Sequence, residues 1–335
     1  MKLTSALAAA ALALTSTALG QSTCSQYSPC YREGYCDSDA MFCLWDLCDP
    51  AKSYNATSCW QPEGCTSKTV GFDSSADVVA IRSYAGSPQT NAFLSVFEPN
   101  NALVAGGNMV LQMTYDAANK KGFGATAKSA TTIKYGKVTA RVKTASVATG
   151  VVTSFIIINE QTGDEIDFEW VGKNPAEVQT NYYYQGHLDY TKMTASSMPD
   201  TSAAYHDYTI DWTADKITWL VDNVVIRELK RADTFDAASN TYAFPSSESR
   251  VSFGIWDGGN SGAQGTQEWS GYPTPWSAST VYKAFVDSVT IECAGGSSQP
   301  SESDGGEQST DGGAQPTDGG NGGEHPEPPK CRMRY

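Results

Sequence analysis

Positive charge is sparse in this chain: 23 lysines and arginines stand against 37 aspartates and glutamates, a net charge of −14 over 335 residues. With no basic stripe to displace counterions, nucleic acid and anionic membrane surfaces are excluded as partners, and a neutral polymer such as a polysaccharide fits better. Histidine is scarcer still, with three in all, and no Cys/His spacing suggests zinc. No metal and no cofactor are therefore expected. Nor does any long stretch carry the 3.6-residue period of an amphipathic helix. The last residues, Cys331-Arg332-Met333-Arg334-Tyr335, follow no apolar stretch, so neither membrane insertion nor a lipid-anchor signal is expected.

What is present starts with Lys2, an Ala/Leu-rich run through Ala13, and the small residues Ala18-Leu19-Gly20. Residues 1–20 read as a secretory signal peptide, too short for a membrane span, so the mature chain is expected outside the cell or in its wall. Cysteine usage agrees with an oxidising compartment. Cys24, Cys30, Cys36, Cys43, Cys48, Cys59 and Cys65 crowd into residues 21–67, while Cys293 and Cys331 stand alone. Seven is odd, so one of them is expected to pair with Cys293 and tie a small module to the end of a large domain, leaving Cys331 unpaired or intermolecular. Asn55-Ala56-Thr57 is an N-glycosylation sequon. Aromatics directly before cysteines, as in Gly34-Tyr35-Cys36 and Met41-Phe42-Cys43, could offer pinned platforms for the apolar face of a sugar ring. The module resembles a shortened hevein-like chitin-binding module that lacks the adjacent cysteine pair, since Tyr31 follows Cys30.

Residues 68–294 are short β-rich runs punctuated by Gly, Asn, Asp and Ser. Lys137–Lys143 alternates cleanly, and Val151–Ile158 is apolar enough for a strand buried on both faces. Further strands are predicted at Met109–Tyr115, Val178–Tyr184, Tyr208–Trp212, Ile217–Val221, Val224–Leu229, Arg250–Trp256 and Ala284–Glu292. The pattern predicts an all-β fold, a single large antiparallel sandwich. Residues 295–335 lose their core-forming side chains and repeat Asp304-Gly305-Gly306, Asp311-Gly312-Gly313 and Asp318-Gly319-Gly320, the composition of a disordered acidic tail.

The stretch that carries chemistry is Gly163-Asp164-Glu165-Ile166-Asp167-Phe168-Glu169-Trp170. Strict alternation puts Glu165, Asp167 and Glu169 on one face of a strand and Ile166, Phe168 and Trp170 on the other. Like charges at i and i+2 repel, so a solvated face or a calcium site is a poorer account than catalysis. Two glutamates four residues apart have Cα atoms roughly 13 Å apart. Leaning together, their carboxyl groups close to roughly 5–6 Å, the spacing of a retaining glycosidase in which one acid attacks and the other protonates. Asp167 between them would hydrogen-bond the nucleophile and hold its neighbours' pKa values apart. Spacing does not say which glutamate attacks.

Asp164-Glu165-Ile166-Asp167-Phe168-Glu169 resembles the signature of glycoside hydrolase family 16. The likeness extends through Tyr135-Gly136-Lys137, Val178-Gln179-Thr180-Asn181-Tyr182-Tyr183, Asp211-Trp212, Ile217-Thr218-Trp219 and Ile255-Trp256-Asp257-Gly258-Gly259-Asn260, about residues 69–293. Within the family the chain is similar to the Crh-type fungal cell-wall chitin–glucan transglycosylases. That resemblance implies a concanavalin-like bent β-jelly-roll, Glu165 as nucleophile, Glu169 as general acid/base and Asp167 as assisting carboxylate. It also implies polysaccharide contacts from Gln179, Asn181 and Tyr183. Trp256, closing the predicted strand Arg250–Trp256, and Trp269, in the Gly-rich loop segment beyond it, are candidates for stacking on sugar faces. Trp212 and Trp219 are expected in the core. The expected activity transfers chitin strands to β-glucan or chitin acceptors, by a monomer. A secreted β-glucanase or chitinase-like hydrolase and a non-catalytic lectin are the alternatives. Phe155-Ile156-Ile157-Ile158 and Gly163 lack the aromatic platforms of mixed-linkage glucanases, which leaves room for a bulkier N-acetylated donor.

Overall fold

The computed structural model describes residues 23–295 apart from Asp46, Pro62 and Ala85. The signal peptide, the tail beyond Gly295 and Cys331 lie outside the described residues. Two sheets stack as a jelly-roll sandwich. The site lies on the eight-stranded one, whose strands in chain order are β1 (Val78–Ala80), β2 (Phe93–Phe97), β3 (Ala125–Ile133), β4 (Val151–Asn159), β5 (Asp164–Val171), β6 (Glu177–Tyr183), β7 (Thr194–Ser197) and β8 (Ser249–Asp257). Their order across the sheet is β7-β6-β5-β4-β8-β3-β2-β1. The second sheet runs Val224–Lys230, Lys216–Val221, His206–Trp212, Gly136–Lys143, Val281–Cys293, Asn108–Asp116, Ala102–Ala105, with Lys68–Val70 and Lys121–Phe123 attached at its flanks. Every pairing within the two sheets is antiparallel except that of β1 with β2, which is parallel and corrects the all-antiparallel expectation.

Residue pattern explains both layers. Val138, Ala140 and Val142 are buried, while the lysines and arginine that alternate with them reach outward, as a half-buried strand requires. In β4 both faces are covered, Ile158 alone being half-buried, as its nearly continuous apolar run predicts. Aromatic rings form a continuous row through the core: Phe72, Phe93, Phe253, Phe155, Phe168 and Trp170, with centroids 5.0–6.0 Å apart. Ile166, Phe168 and Trp170 thus anchor β5 from beneath. Trp212 and Trp219 are buried as expected, their indole N–H groups donating to the carbonyls of Pro245 and Asp167 at 3.2 and 3.0 Å.

Three disulfides knit the N-terminal module, Cys24–Cys36, Cys30–Cys43 and Cys48–Cys59, and Cys65 pairs with Cys293. The expected tie between module and large domain is thus Cys65–Cys293, closing a loop of 228 residues. Loop-closure entropy makes such a link worth about 2–5 kcal/mol. Cys65→Ser with Cys293→Ser is expected to lower the thermal midpoint by several degrees in calorimetry, whereas an unchanged midpoint would contradict that contribution.

The module does not hang free. Ala40 and Leu44 pack on Ile81, Leu94 and Ala130, Arg82 pairs with Asp39 at 2.8 Å, and Gln161 Nε2 donates to the carbonyls of Trp45 and Cys48. Leu94 pairs with Lys128, Lys128 with Ser252, Ser252 with Ile156 and Ile156 with Asp167. Directly paired residues share a face. The module therefore sits on the same face of the sheet as the acidic row, toward its β1–β2 edge.

Candidate active site

Strand β5 carries the acids, and its two neighbours define their surroundings. On β6, Tyr183 lies opposite Glu165, Asn181 opposite Asp167 and Gln179 opposite Glu169. On β4 the partners are Ile158, Ile156 and Ser154. Six of the eight predicted site residues, Glu165, Asp167, Glu169, Gln179, Asn181 and Tyr183, therefore form two adjoining columns on one face. Glu165 is 9% exposed and Asp167 1%, so the row is not a solvated strand face; Glu169 is the most open of the three.

Burial sets the electrostatics. Desolvation pushes Glu165 well above the ordinary glutamate value, and the charges of Asp167 and Glu160 push it further while Lys128 opposes them. Glu169 is also raised well above its usual value, by desolvation and then by the charges of Asp167 and Glu165. Asp167 is raised to about 7 by desolvation, against the pull of the Asn181 backbone N–H and the Arg227 guanidinium. Glu165 and Asp167 share a side-chain hydrogen bond, so the pair titrates as a unit and holds a proton between its members. Three acids in one dry row thus stay partly protonated at neutral pH, the condition for acid and base roles to coexist.

The sign of the stability effect follows. For Asp167 the folded pKa lies above the unfolded one, so the folded chain binds more protons between about pH 4 and pH 7. Its ionisation costs nothing below that window, increasingly within it, and fully above it. Asp167→Asn is expected to raise the melting temperature at about pH 8 and leave it nearly unchanged at about pH 4, read by scanning calorimetry; equal shifts at both pH values would exclude the charge as the cause.

At the Glu169 end of the row Trp269 Nε1 donates to Gln179 Oε1 at 2.7 Å, and the Trp256 and Trp269 rings stack at 5.7 Å. Gln179 Nε2 in turn donates to Glu177 at 2.9 Å. Trp256 lies on β8, within the predicted strand, whereas Trp269 lies on the short helix Gln264–Ser270 and not in a loop, which corrects that expectation. The misleading glycines allow close packing. A Cβ on Gly258 would stand 2.6 Å from Ser270 Oγ, so the helix reaches the strand end only where that side chain is missing. At the other end, Asn181 Nδ2 donates to Tyr183 Oη at 3.0 Å, and the Tyr183 ring meets the exposed Tyr190 edge-on.

Three supporting residues had no assigned role from sequence. Asp164 is buried and its carboxylate accepts from the backbone N–H groups of Gln185, Ser246 and Ser247, all at 2.9 Å, clamping two loops to the start of β5. Arg227 donates to the carbonyls of Thr180 and Lys192 and lies 4.6 Å from the Trp219 ring, bracing β6 from the second sheet. Asp257 accepts from Gly122 N, Asn260 N and Trp276 Nε1 at 2.7–2.9 Å. Asp164 stands in the acidic stretch yet outside the alternating row, a sign that it serves the backbone.

A two-sheet sandwich with an acidic column facing amides and tyrosine defines a carbohydrate-active protein. The model of glycosyl hydrolases family 16 matches residues 89–272, and the chain belongs to that family. Within it the likeness is to Crh-like proteins. Crh-like protein 3 of Botryotinia fuckeliana is 35% identical over 310 residues, covering 90% of this chain and 67% of that protein. Congo red hypersensitive protein 2 of Saccharomyces cerevisiae is 35% identical over 283 residues, covering 81% of this chain and 56% of that one. This chain thus spans about two thirds of the first relative's length and just over half of the second's. Among solved structures, Crh5 transglycosylase in complex with NAG aligns with a TM-score of 0.57 at 28% identity, over 70% of this chain and 86% of that one.

Proposed function

We propose that the chain is a secreted retaining transglycosylase of cell-wall polysaccharide, moving chitin strands to β-glucan or chitin acceptors as a monomer. The observation that carries this reading is the column of Glu165 and Glu169 on either side of buried Asp167, matched across the pairing by Tyr183, Asn181 and Gln179. Protonated Glu169 gives its proton to the glycosidic oxygen while the Glu165 carboxylate attacks the anomeric carbon. The leaving sugar departs with that proton and a glycosyl ester remains on Glu165. Asp167 holds the proton of the Glu165–Asp167 pair during attack, leaving the nucleophile anionic. In the second half, ionised Glu169 takes a proton from an acceptor hydroxyl, whose oxygen attacks the anomeric carbon and frees Glu165.

Transfer rather than hydrolysis requires an acceptor sugar held well enough to outcompete water. The solved relative named as a transglycosylase and complexed with NAG supports that choice and an N-acetylated donor. Mixing chito-oligosaccharide donors with a labelled β-glucan acceptor and analysing products by mass spectrometry is expected to give labelled acceptors extended by donor units. Shortened donors alone would make the protein a hydrolase, and bound but unprocessed donors a lectin.

Trp256 and Trp269 form the proposed sugar platform. Trp256→Ala removes the stacking partner of Trp269 and is expected to raise KM about tenfold with a smaller change in kcat. An unchanged KM would move the platform elsewhere.

A further inference from the structure

Gln179 is gripped at both ends of its amide. It is 6% exposed and lies opposite Glu169, on β6. Its Oε1 accepts from the Trp269 indole at 2.7 Å, and its Nε2 donates to Glu177 Oε1 at 2.9 Å. An indole N–H only donates and a carboxylate oxygen accepts, so both neighbours enforce one and the same amide orientation. Nε2 carries a second N–H, and among the described residues no acceptor takes it. Resting on the reading of Glu169 as general acid/base, we propose that Trp269 and Glu177 are positioning residues that fix Gln179 as a hydrogen-bond donor to the sugar on the leaving-group side, the place an acceptor enters.

The two grips come from separate elements. Glu177 precedes Gln179 by two residues on β6, so their side chains share a face. Trp269 arrives from the short helix Gln264–Ser270, which is itself tied down: Lys173 Nζ donates to the Glu268 carbonyl at 2.6 Å, and the Gly150 N–H donates to that of Ser270 at 2.9 Å. The Trp269 ring also stacks on Trp256, so its N–H cannot swing away from Gln179 without breaking that stack. A buried amide without such neighbours could offer a ligand either its oxygen or its nitrogen; one held in this way offers the nitrogen. Glu169 protonates the departing oxygen, so the sugar beyond that bond, and later the acceptor, lies at the Glu169 end of the row, beside Gln179. A sugar hydroxyl and an acetamido carbonyl both accept hydrogen bonds, so a fixed donor serves glucan and chitin acceptors alike. Holding the acceptor there raises its effective concentration against water.

The test is a double-mutant cycle in the full chain, read on KM for the oligosaccharide acceptor. Trp269→Phe keeps an aromatic face toward Trp256 and removes the N–H, while Gln179→Met keeps the side-chain length and removes the amide. Each is expected to raise the acceptor KM about tenfold with a much smaller change in the donor KM, and the double variant to be no worse than Gln179→Met alone. Effects that multiply to about a hundredfold would make Trp269 an independent contact and overturn the proposal, as would an unchanged acceptor KM in Trp269→Phe. A rise in both KM values together would mark a loosened fold and count against it as well. Should Trp269→Phe fail to fold, Glu177→Ala takes its place in the cycle with the same expectation, and Glu177→Gln, which keeps an acceptor oxygen, is expected to stay near the parent value. If the intact protein only hydrolyses or only binds, the transglycosylase reading fails; the same cycle is then read on Kd for the acceptor oligosaccharide, where additive losses overturn the role of Trp269 and non-additive ones support it.

Discussion

Glu165→Gln is expected to lose turnover by at least about a thousandfold while still binding oligosaccharide, because an amide cannot form the glycosyl ester. The fold should survive, since Gln has the size and shape of the glutamate it replaces and puts no new charge into a buried position. Chemistry can be returned from outside. In Glu165→Ala, azide can enter the space of the lost carboxylate and attack the anomeric carbon directly, giving a glycosyl azide whose configuration is opposite to that of the substrate. A product with retained configuration would assign the nucleophile to another residue.

Glu169→Gln should behave differently, and the difference identifies its role. Removing the general acid is expected to lower kcat by about 10²–10⁴-fold on natural glycosides, whose leaving alkoxide needs a proton, and far less on aryl glycosides, which leave unaided. The second half-reaction then slows as well, since no base remains to activate the acceptor, so glycosyl-enzyme accumulates. Azide, which needs no deprotonation, should rescue Glu169→Ala with retained configuration. Equal losses on both leaving groups would exclude the acid role. Glu169 suits the task because burial and the two carboxylates beside it keep it protonated in the free enzyme, and it is the acid of the row most open to an arriving glycan.

Much of this site was legible because period-two patterns report faces directly. Glu165, Asp167 and Glu169 alternate with core residues, and Gln179, Asn181 and Tyr183 alternate on the next predicted strand, so the shared face needed only the observed register. The nine strands predicted by range all exist with small shifts at their ends. Strand β3 was not legible, because Ala125–Ile133 is mostly Ala, Ser and Thr and is buried by its neighbours rather than by its own hydrophobicity. Trp269 was placed in a loop since adjacent glycines mimic turn signals, and it sits on a short helix. Docking of the module on the catalytic face, and the pairing of Lys128 with Glu160, are tertiary facts between distant residues that leave no local pattern.

The cysteine count went further than composition usually does. An odd number near one end predicted a link to Cys293, and Cys65 supplies it. That link and the contacts of Gln161 hold a small module beside the hairpin that leads into β5, the strand that bears the acidic row.

The most direct test of the account is to trap the sugar. Glu169→Gln incubated with an aryl chito-oligosaccharide should accumulate a covalent adduct, and peptide mass spectrometry is expected to find the added glycosyl mass on Glu165. The same mass on Asp167, on another side chain, or on none would contradict the account.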